Sequence, residues 1–471
     1  MFELHHLSAQ EQWDWLHRGE ITPTELVTHY LDRIGRLNDS LGAFTTVTAD
    51  AALERAATLE ATVPRTAPLW GLPIGDKDLH RRKGVRTTFG SRLFADFIPD
   101  ESDEIVEVLD AAGAISLGKT NAPEFGMPSY TESLVAPPAR NPWRLELGSG
   151  GSSGGAATAV AAGLLPFAPG SDGGGSVRIP AAATGLVGLK PGRGVVPSGS
   201  GLATLGGLVT IGPLARSVAD AAMLLDAMIA GGPYPYSVRA PGWDGGAFLG
   251  PATRGEGRFQ LAVMTTSPWD SEYDIRISAE ASAALALAID EFSAVGHGIE
   301  EIALEPDDTY APAFRTVWQS GAAGLPVEGV ELDSLEPLTR WLVERGRRLS
   351  ARDLAAALAA LTVYERSVIR QFSRVDAVLT PALALTPRPI GWYSQDDPEL
   401  NFEQQVRYTP FTSFANVTGL PAITLPVYLT ADGLPMGVQL VGRPGGEAVL
   451  FALGAQLERR IGWQRRHPPV W

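Results

Sequence analysis

Apolar and polar residues follow two patterns along the chain, one typical of helices and one typical of short strands. Near the start, Ser8-x-x-Glu11 and Thr22-Pro23-x-Glu25 precede apolar residues at helical spacing, and these capping boxes predict two helices. Short extended apolar segments alternate with further helical stretches and lie near residues 72–74, 114–117, 164–168, 186–189, 377–379 and 422–427. This alternation predicts an α/β fold in which a mixed, mostly parallel twisted sheet is covered by helices on both faces.

The middle of the chain, about 230–375, carries weaker signals. Asp333 or Ser334 is expected to cap one helix, and Ser350 another that runs through the Ala-Leu stretch at 353–361. The proline-rich segment 380–390 is predicted to be a loop. None of these segments carries a motif that points to chemistry, so candidate functional residues must come from other parts of the chain.

Composition narrows the class of protein. With 471 residues, of which 45% are hydrophobic and 19% charged, the chain can bury a large core. No apolar run reaches the roughly 18 residues of a membrane span, and the first residues lack a basic-then-apolar signal, so we expect a cytoplasmic protein. The formal net charge of −15 argues against nucleic acid or anionic membranes as partners.

The cysteine and histidine content argues against several kinds of covalent, catalytic and metal-binding site. The chain has no cysteine, which excludes disulfides, thiolate catalysis and zinc–thiolate sites. Its seven histidines show no metal-ligand spacing, and His5 and His6 are expected to be solvated rather than ligating. We therefore expect neither a metal nor another cofactor.

Two glycine-crowded loops each present a serine. The second loop, Asp172-Gly-Gly-Gly-Ser176, can bring successive backbone N–H groups close to one oxygen atom, because glycine lacks a Cβ. An acyl-transfer oxyanion needs such donors, so the N–H groups of residues 173–176 form a candidate oxyanion hole. Pro180 then opens a predicted helix, whose positive end favours negative charge developing near Ser176.

The first loop, residues 148–155, places Ser152 and Ser153 before an alanine-rich predicted helix. Its glycines and serines by themselves are also typical of a flexible linker, although apolar sequence on both sides argues against that interpretation. A phosphate-binding loop is a further alternative, but the Gly-Lys-Ser/Thr ending is missing. Lys77 lies in an apolar segment and is a candidate base, unless it is a surface lysine paired with the flanking Asp76 and Asp78.

These motifs resemble those of the amidase signature hydrolases. That family has a Gly-Gly-Ser-Ser-Gly-Gly loop, then Gly-Ser/Thr-Asp-x-Gly-Gly-Ser-x-Arg-x-Pro, with Gly-x-Pro-x-x-x-Lys-Asp upstream, and here these are residues 150–155, 170–180 and 71–78. The spacing also fits, since 152 minus 77 is 75 and 176 minus 152 is 24. Further matching pieces are residues 118–121, 141–143, 188–191, 379–381, 419–423 and 437–439. The resemblance covers about residues 70–215 and 375–471.

The resemblance implies a role for each matching residue. Ser176 would be the nucleophile, Ser152 the bridging serine after a cis peptide bond, and Lys77 the general base. The oxyanion hole and the supporting and substrate-binding positions would then be the following: Gly173, Gly174, Gly175 and Ser176 as amide donors; Ser153, Asp172 and Arg178 as supporting residues; and Met127 and Ser129 at the acyl pocket.

Lys77 must be uncharged to accept a proton. An unperturbed lysine has a pKa near 10.4, and lowering it by roughly three units takes about 4 kcal/mol, which burial can supply. If residues 72–79 are extended, adjacent side chains point to opposite faces, so neither Asp76 nor Asp78 need face the amine.

By resemblance the chain is a single domain: residues 1–65 form N-terminal helices, 66–215 the catalytic core, 230–375 a variable substrate-binding region, and 376–471 the C-terminal part of the core. The expected substrates are neutral amides, including anilides and short linear or cyclic amides, with esters and carbamates (urethanes) also accessible. The protein would act as a monomer or homodimer. The alternatives are the glutamine-hydrolysing subunit of a tRNA-dependent amidotransferase and a non-catalytic binding protein. Aromatic residues that could line a pocket, but equally fit a core, are Phe314, Trp318, Tyr364, Trp392, Tyr393 and Phe411.

Overall fold

The computed structural model describes residues 3–196, 205–230 and 247–471 of the chain. Residues 231–246, at the start of the predicted variable region, lie outside the described residues. The α-helices are α1 Ala9–Arg18, α2 Pro23–Leu41, α3 Ala49–Thr62, α4 Glu104–Ala111, α5 Gly154–Ala161, α6 Arg178–Thr184, α7 Val218–Ala230, α8 Leu249–Arg254, α9 Ala279–Val295, α10 Tyr310–Ala323, α11 Pro337–Gly346, α12 Ala351–Phe372, α13 Pro398–Tyr408, α14 Ser413–Val417 and α15 Glu447–Ile461. Short 3₁₀ helices cover Leu4–His6, Arg92–Phe94, Glu124–Gly126, Leu205–Gly207, Gly329–Ser334 and Trp463–Arg465.

The strands are β1 Phe44–Val47, β2 Pro73–Lys77, β3 Ile115–Thr120, β4 Arg140–Asn141, β5 Arg144–Gly148, β6 Phe167–Asp172, β7 Val187–Lys190, β8 Thr210–Ala215, β9 Gln260–Val263, β10 Gly298–Glu301, β11 Ala377–Pro381, β12 Ala422–Leu429 and β13 Pro435–Gly442. Eight of them form one large sheet in the order β10-β9-β11-β13-β12-β7-β8-β6. A three-stranded sheet has the order β1-β3-β2, and β4 pairs with β5. The predicted α/β fold with a mixed sheet is confirmed.

The expectation of a mostly parallel sheet is wrong. Of the seven pairings in the large sheet that the described residues show, five are antiparallel and two, β10 with β9 and β9 with β11, are parallel. Strands β6 and β7, which α6 connects, do share a direction, as helix crossovers predict. However, β8 inserts between them and runs antiparallel to both. The alternation of strands and helices along the sequence does not show that a later strand, β8, lies between β6 and β7.

Helices cover both faces of the large sheet. On β13, a Cβ added at Gly437 would approach the Ala182 backbone of α6, whereas one added at Gly442 would approach Leu450 of α15. Residues five apart on a strand point to opposite faces, so α6 and α15 lie on opposite sides. The glycines permit this close approach of helix to sheet.

The N-terminal capping boxes are confirmed. Ser8 and Thr22 each accept a hydrogen bond from the backbone N–H three residues on, and the glutamate at that position accepts one in return. Ser350 caps α12 in the same way, with Asp353. The expected cap at Asp333 or Ser334 is wrong, because those residues end a 3₁₀ helix and α11 starts three residues later, with Pro337 at its first position.

The middle region contributes to both the sheet and a separate helical layer. Strands β9 and β10 continue the large sheet beside β11. Helix α10 packs against both α11 and α12 around a second hydrophobic core. Among the helices of the described ranges, none is long and apolar enough to cross a membrane.

Candidate active site

One strand end and two loops bring the three motif residues together. Lys77 ends β2, Ser152 precedes α5, and Ser176 precedes α6. The N–H of Ser153 donates to the carbonyl oxygen of Ser176 at 3.1 Å, which ties the two loops to each other. Ser152 and Ser176 both line a cavity of about 460 Å³, whereas Lys77 is fully buried behind its wall.

The Lys77 amine is surrounded by oxygen atoms. Its Nζ lies 2.8 Å from Ser152 Oγ, 2.9 Å from Ser171 Oγ and 3.3 Å from the Ser171 carbonyl oxygen. Strand β2 packs against β6, which carries Ser171, and this packing brings the amine to the first glycine-rich loop. Lys77 and Ser152 are thus in direct hydrogen-bonding contact.

Burial lowers the pKa of Lys77 from 10.5 to about 7, and the negative charge of Asp172 opposes this shift without reversing it. Near neutral pH a large share of the amine is therefore uncharged and has a lone pair to accept a proton. Burial lowers the pKa of Lys190 to about 7 as well, but that amine donates to the Pro191 carbonyl and, within the described residues, to neither Ser152 nor Ser176. Contact with Ser152, rather than pKa alone, distinguishes Lys77.

The aspartates beside Lys77 point away from its amine. Asp76 accepts hydrogen bonds from Arg82 and from Ser116. Asp78 lies 3.7 Å from the amine of Lys119 and accepts hydrogen bonds from Thr88 and Thr45. Strand alternation separates Asp76 from Lys77. The expected extension to residue 79 is wrong, because β2 ends at Lys77 and Asp78 lies in a turn, where its own partners hold its carboxylate.

The second glycine-rich loop is fixed by a buried ion pair. Arg178 donates to both carboxylate oxygens of Asp172, at 2.8 and 3.0 Å, and both side chains are fully buried. Burial by itself would raise the pKa of Asp172, but Arg178 and Asn416 hold it below its usual value. Arg178 also donates to Gln439 and Asn416, so residues from four elements hold the loop.

Asp172 also uses one of the predicted oxyanion donors. Its carboxylate accepts the N–H of Gly175 at 2.8 Å, so that N–H is already engaged, and Gly175 lines neither cavity. Within the described residues, the N–H groups of Gly173, Gly174 and Ser176 have no hydrogen-bond acceptor. The φ of Gly175 is +131°, and a Cβ there would collide with Thr412, which explains this glycine.

The bond between Gly151 and Ser152 is cis, as the resemblance implied. Ser152 and Ser176 share the cavity wall, yet no hydrogen bond joins their hydroxyls among the described residues. Hydrogen bonds of this kind are often long in ligand-free structures and tighten when substrate binds. The lysine–serine contact is therefore formed in the free protein, and proton exchange between the two serines belongs to the proposed mechanism.

Met127 and Ser129, the expected acyl-pocket residues, lie at a second cavity of about 70 Å³. Met127 and Ser176 line both cavities, and the N–H of Ser129 donates to the side-chain oxygen of Gln405 at 2.7 Å. Of the six candidate aromatic residues, Trp318 lines both cavities and Phe314 the smaller one. Of the other four, Tyr364, Tyr393 and Phe411 are buried in the core, and the half-buried Trp392 packs against it.

Sequence reasoning missed five polar residues of the larger cavity: Ser171, His80, Arg81, Asp103 and Glu104. Ser171, which contacts the Lys77 amine, stands at the Ser/Thr position of the second motif, so the signal was present but pointed to no role. His80 lines the cavity and its Nε2 is buried without a hydrogen-bond partner in the described residues. Only its position three residues after Lys77 could have indicated it.

Away from this site, one cluster consists of residue types that can bind metal ions. Glu3, His5 and His29 place one ligand atom each within 4.8 Å of the others. The expectation that His5 is solvated is wrong, because it is 2% exposed and its Nδ1 lies 3.1 Å from His29 Nε2. Burial lowers the pKa of both imidazoles, and the guanidinium of Arg33 contacts Glu3. That positive charge disfavours a cation, and the imidazole hydrogen bond accounts for the cluster.

Comparisons with known proteins agree with this geometry. A protein-family model described as Amidase matches residues 25–451. The putative amidase AmiB2 of Mycobacterium tuberculosis (strain ATCC 25618 / H37Rv) is 38% identical over 467 residues, covering 98% of each chain. A glutamyl-tRNA(Gln) amidotransferase subunit from Roseiflexus sp. (strain RS-1) is 35% identical over 497 residues, covering 99% of each.

A solved structure shows the same fold over the whole chain. The structure of 6-aminohexanoate cyclic dimer hydrolase complexed with substrate matches with a TM-score of 0.90 and 29% identity, covering 99% of this chain and 100% of that one. The family match, the relatives and the fold all lead to one assignment. The chain belongs to the amidase family, the amidase signature enzymes, and is a hydrolase of the C–N bond of amides.

Proposed function

We propose that this protein is a stand-alone amidase that hydrolyses neutral amides through Ser176, with Ser152 as proton relay and Lys77 as general base. The observation that carries the proposal is the 2.8 Å contact between Ser152 and a buried lysine whose pKa is about 7, at the wall of the cavity that Ser176 also lines. A base with a pKa near the working pH combines a high uncharged fraction with useful basicity.

In the proposed reaction, Ser176 Oγ attacks the carbonyl carbon while its proton passes to Ser152, and the Ser152 proton passes to the neutral amine of Lys77. The carbonyl π electrons move to oxygen, and the N–H groups of Gly173, Gly174 and Ser176 stabilise that oxyanion. Removing one such donor typically costs about 3–4 kcal/mol in the barrier. Gly175 is left out of this set, because its N–H is engaged by Asp172.

Collapse of the tetrahedral intermediate breaks the C–N bond. The leaving nitrogen takes a proton that Lys77 returns through Ser152, and an acyl-enzyme on Ser176 remains. Water then attacks the ester carbon, the same relay accepts its proton, and the acid leaves as Ser176 regains its hydrogen.

The wall of the larger cavity supports neutral substrates. Most of its side chains are aromatic or aliphatic, among them Phe89, Phe94, Leu208 and Val317. Anilides and short linear or cyclic amides suit such a wall, and esters and carbamates offer the same nucleophile a similar carbonyl. The relative that hydrolyses 6-aminohexanoate cyclic dimer adds support for cyclic amides.

A second candidate function is that of a glutamine-hydrolysing amidotransferase subunit, which the Roseiflexus relative favours. Glutamine carries two charges at neutral pH, whereas the larger cavity is mainly apolar and two of its three charged side chains, Arg81 and Asp103, already pair with each other. Burying charges without partners is costly, so this wall favours an uncharged amide. Glutaminase activity that rises when partner subunits are added would support the alternative.

The test uses the purified full chain with a panel of an anilide, a short linear amide, a cyclic amide, an ester, a carbamate and glutamine. We expect turnover of uncharged amides and covalent labelling of Ser176 by a fluorophosphonate. Ser176→Ala should abolish both, whereas Ser40→Ala, on an exposed helix end, should change neither. Labelling of another residue, or turnover that survives Ser176→Ala, would refute the assignment. Absence of any labelling would favour a binding protein on this fold.

A further inference from the structure

The cavity system at Ser176 consists of two chambers of very different size. The larger has a volume of about 460 Å³ and the smaller about 70 Å³, and Met127, Ser176 and Trp318 belong to both. Pockets for small organic ligands span roughly 300–1,000 Å³, so the larger chamber can hold a ring system and the smaller only a few atoms. An amide whose carbonyl carbon meets Ser176 must therefore extend a bulky half one way and a small half the other.

The position of Ser152 indicates which half goes where, and this step depends on the proposed function. The relay must return a proton to the leaving nitrogen, so that nitrogen has to lie within hydrogen-bonding reach of the serine hydroxyls. Ser152 lines the larger chamber and not the smaller one. The neighbouring Gly126 also lines the larger chamber, and a Cβ there would lie 3.3 Å from Ser152 Oγ. The amine half therefore faces the larger chamber.

The larger chamber has an aromatic wall. Phe89 meets Phe94 edge to face at 5.3 Å between ring centroids, and Phe94 meets Phe125 in the same way at 5.9 Å. Phe89 and Phe125 are the two non-glycine residues with positive φ in the described part of the chain, and a 2.7 Å backbone hydrogen bond joins them. Strained backbone of this kind persists only where the surroundings fix it, which marks this wall as rigid. Aromatic rings favour edge-to-face contact with a further ring.

The walls of the smaller chamber include residues that hydrogen bonds hold in place. The indole N–H of Trp269 donates to Ser413 Oγ at 3.0 Å, and the Tyr310 hydroxyl lies 2.8 Å from the same atom. Gln405 accepts the N–H of Ser129 on the opposite side. These contacts resist widening of the chamber, so a longer acyl chain should fit it less well than a short one.

We propose that the larger chamber binds the amine half of the substrate and the smaller chamber the acyl half, so that the enzyme prefers amides of short carboxylic acids with bulky aromatic amines. The preferred class is the acetyl or propionyl arylamide. Amides of long-chain acids with small amines are poor substrates, although they contain the same bond.

Two substrate series test this division with the unmodified enzyme. In the first, the acyl group of an anilide is lengthened from acetyl to hexanoyl; in the second, the amine of an acetamide is enlarged from methylamine through aniline to 2-naphthylamine. We expect kcat/KM to fall at least about tenfold along the first series and to rise at least about tenfold along the second, since one methylene group in a pocket already changes it about tenfold or more.

Two variants should each change the preference for one half of the substrate, one for the amine and the other for the acyl group. Gly321 lies on α10 at the larger chamber with open space beside it, so Gly321→Phe should fill that chamber and lower the naphthyl-to-phenyl ratio of kcat/KM about tenfold. Gly35→Phe makes the same change in open space on α2, away from both chambers, and is the control. Val406→Ala enlarges the smaller chamber and should raise the butyryl-to-acetyl ratio about tenfold.

The outcomes distinguish a failure of the proposed two-chamber binding arrangement from a failure of the proposed reaction. Preference for long acyl groups or small amines, with fluorophosphonate still labelling Ser176, would overturn the division alone. Labelled enzyme that cleaves no acetyl arylamide would overturn it as well. Loss of both labelling and turnover would instead refute the proposed function.

Discussion

The amine of Lys77 and the hydroxyl of Ser152 lie 2.8 Å apart in a place that water hardly reaches, since Ser152 is 2% exposed and Lys77 not at all. The lysine comes from a three-stranded sheet and the serine from the loop before α5. Burial makes the charged form of the lysine costly, and the same burial places its lone pair beside the serine. One packing arrangement thus provides both the basicity and the position that the proposed relay needs.

Activity should therefore depend on pH through Lys77. Its pKa in the folded protein is about 7, so the amine is protonated and inactive below that value and free to accept a proton above it. We expect kcat/KM for a neutral amide to rise with pH through an apparent pKa of about 7 and then level off. The measurement is a pH–rate profile with a substrate that does not titrate, with circular dichroism at each pH to show that the fold persists. A profile that rises only near pH 10 would contradict the lowered pKa.

Ser171 should tune that profile, because its hydroxyl accepts a hydrogen bond from the Lys77 amine at 2.9 Å. This bond favours the charged form of the lysine, so Ser171→Ala should move the acidic limb to lower pH. A single hydrogen bond contributes about 0.5–1.5 kcal/mol, so we expect kcat/KM on the plateau to fall about two- to tenfold. Ser171→Thr keeps the hydroxyl and should return the acidic limb of the pH–rate profile to its original position. If both variants shift the profile equally, the hydroxyl is not the cause.

Gly126 should be needed for the geometry of the serine. Its φ is +68°, and an added Cβ would lie 2.5 Å from a Leu79 methyl carbon and 3.3 Å from Ser152 Oγ. Gly126→Ala should lower kcat for acetanilide about tenfold or more, since small misplacements of reacting groups have large effects. Gly19→Ala is the matched control: its φ is +70°, but nothing lies within 4 Å of the added Cβ. Gly19→Ala should lower the thermal unfolding temperature, because alanine is strained at this positive φ, but it should leave kcat unchanged. Equal kcat for both variants and the parent would refute this role.

The residues of the site were more predictable from sequence than its shape. Motif order predicted Lys77, Ser152 and Ser176 as site residues, because each stands at a particular spacing, and the fold brings the three segments together; their catalytic roles stay a prediction. The Asp172–Arg178 pair was also predicted as a brace, since both belong to one motif. The use of the Gly175 N–H by Asp172 was not foreseen, because loop dihedral angles decide which amides face the cavity.

The parts that the sequence did not reveal depend on contacts between distant segments. The two chambers combine residues near 89–97, 125–129, 205–211, 314–326 and 402–413, which carry no shared periodicity. The insertion of β8 between β6 and β7 is likewise set by tertiary packing, since local sequence records a strand but not its neighbours. Local patterns sufficed for helix starts such as Ser8 and Ser350, where all interacting atoms lie within one turn.

The stability of the second glycine-rich loop should depend on the pair of Asp172 and Arg178. Both are fully buried, and truncating one partner of a buried pair typically costs about 3–5 kcal/mol because the other charge is left unpaired. Arg178→Met should therefore lower the free energy of unfolding in urea by that amount and slow acetanilide hydrolysis. The double variant Asp172→Asn, Arg178→Met removes both charges and should recover part of the stability. Arg345, whose ion pair with Glu399 is exposed, provides the control, and Arg345→Met should cost no more than about 1 kcal/mol. Equal losses for Arg178→Met and Arg345→Met would show that the buried pair does not hold the loop.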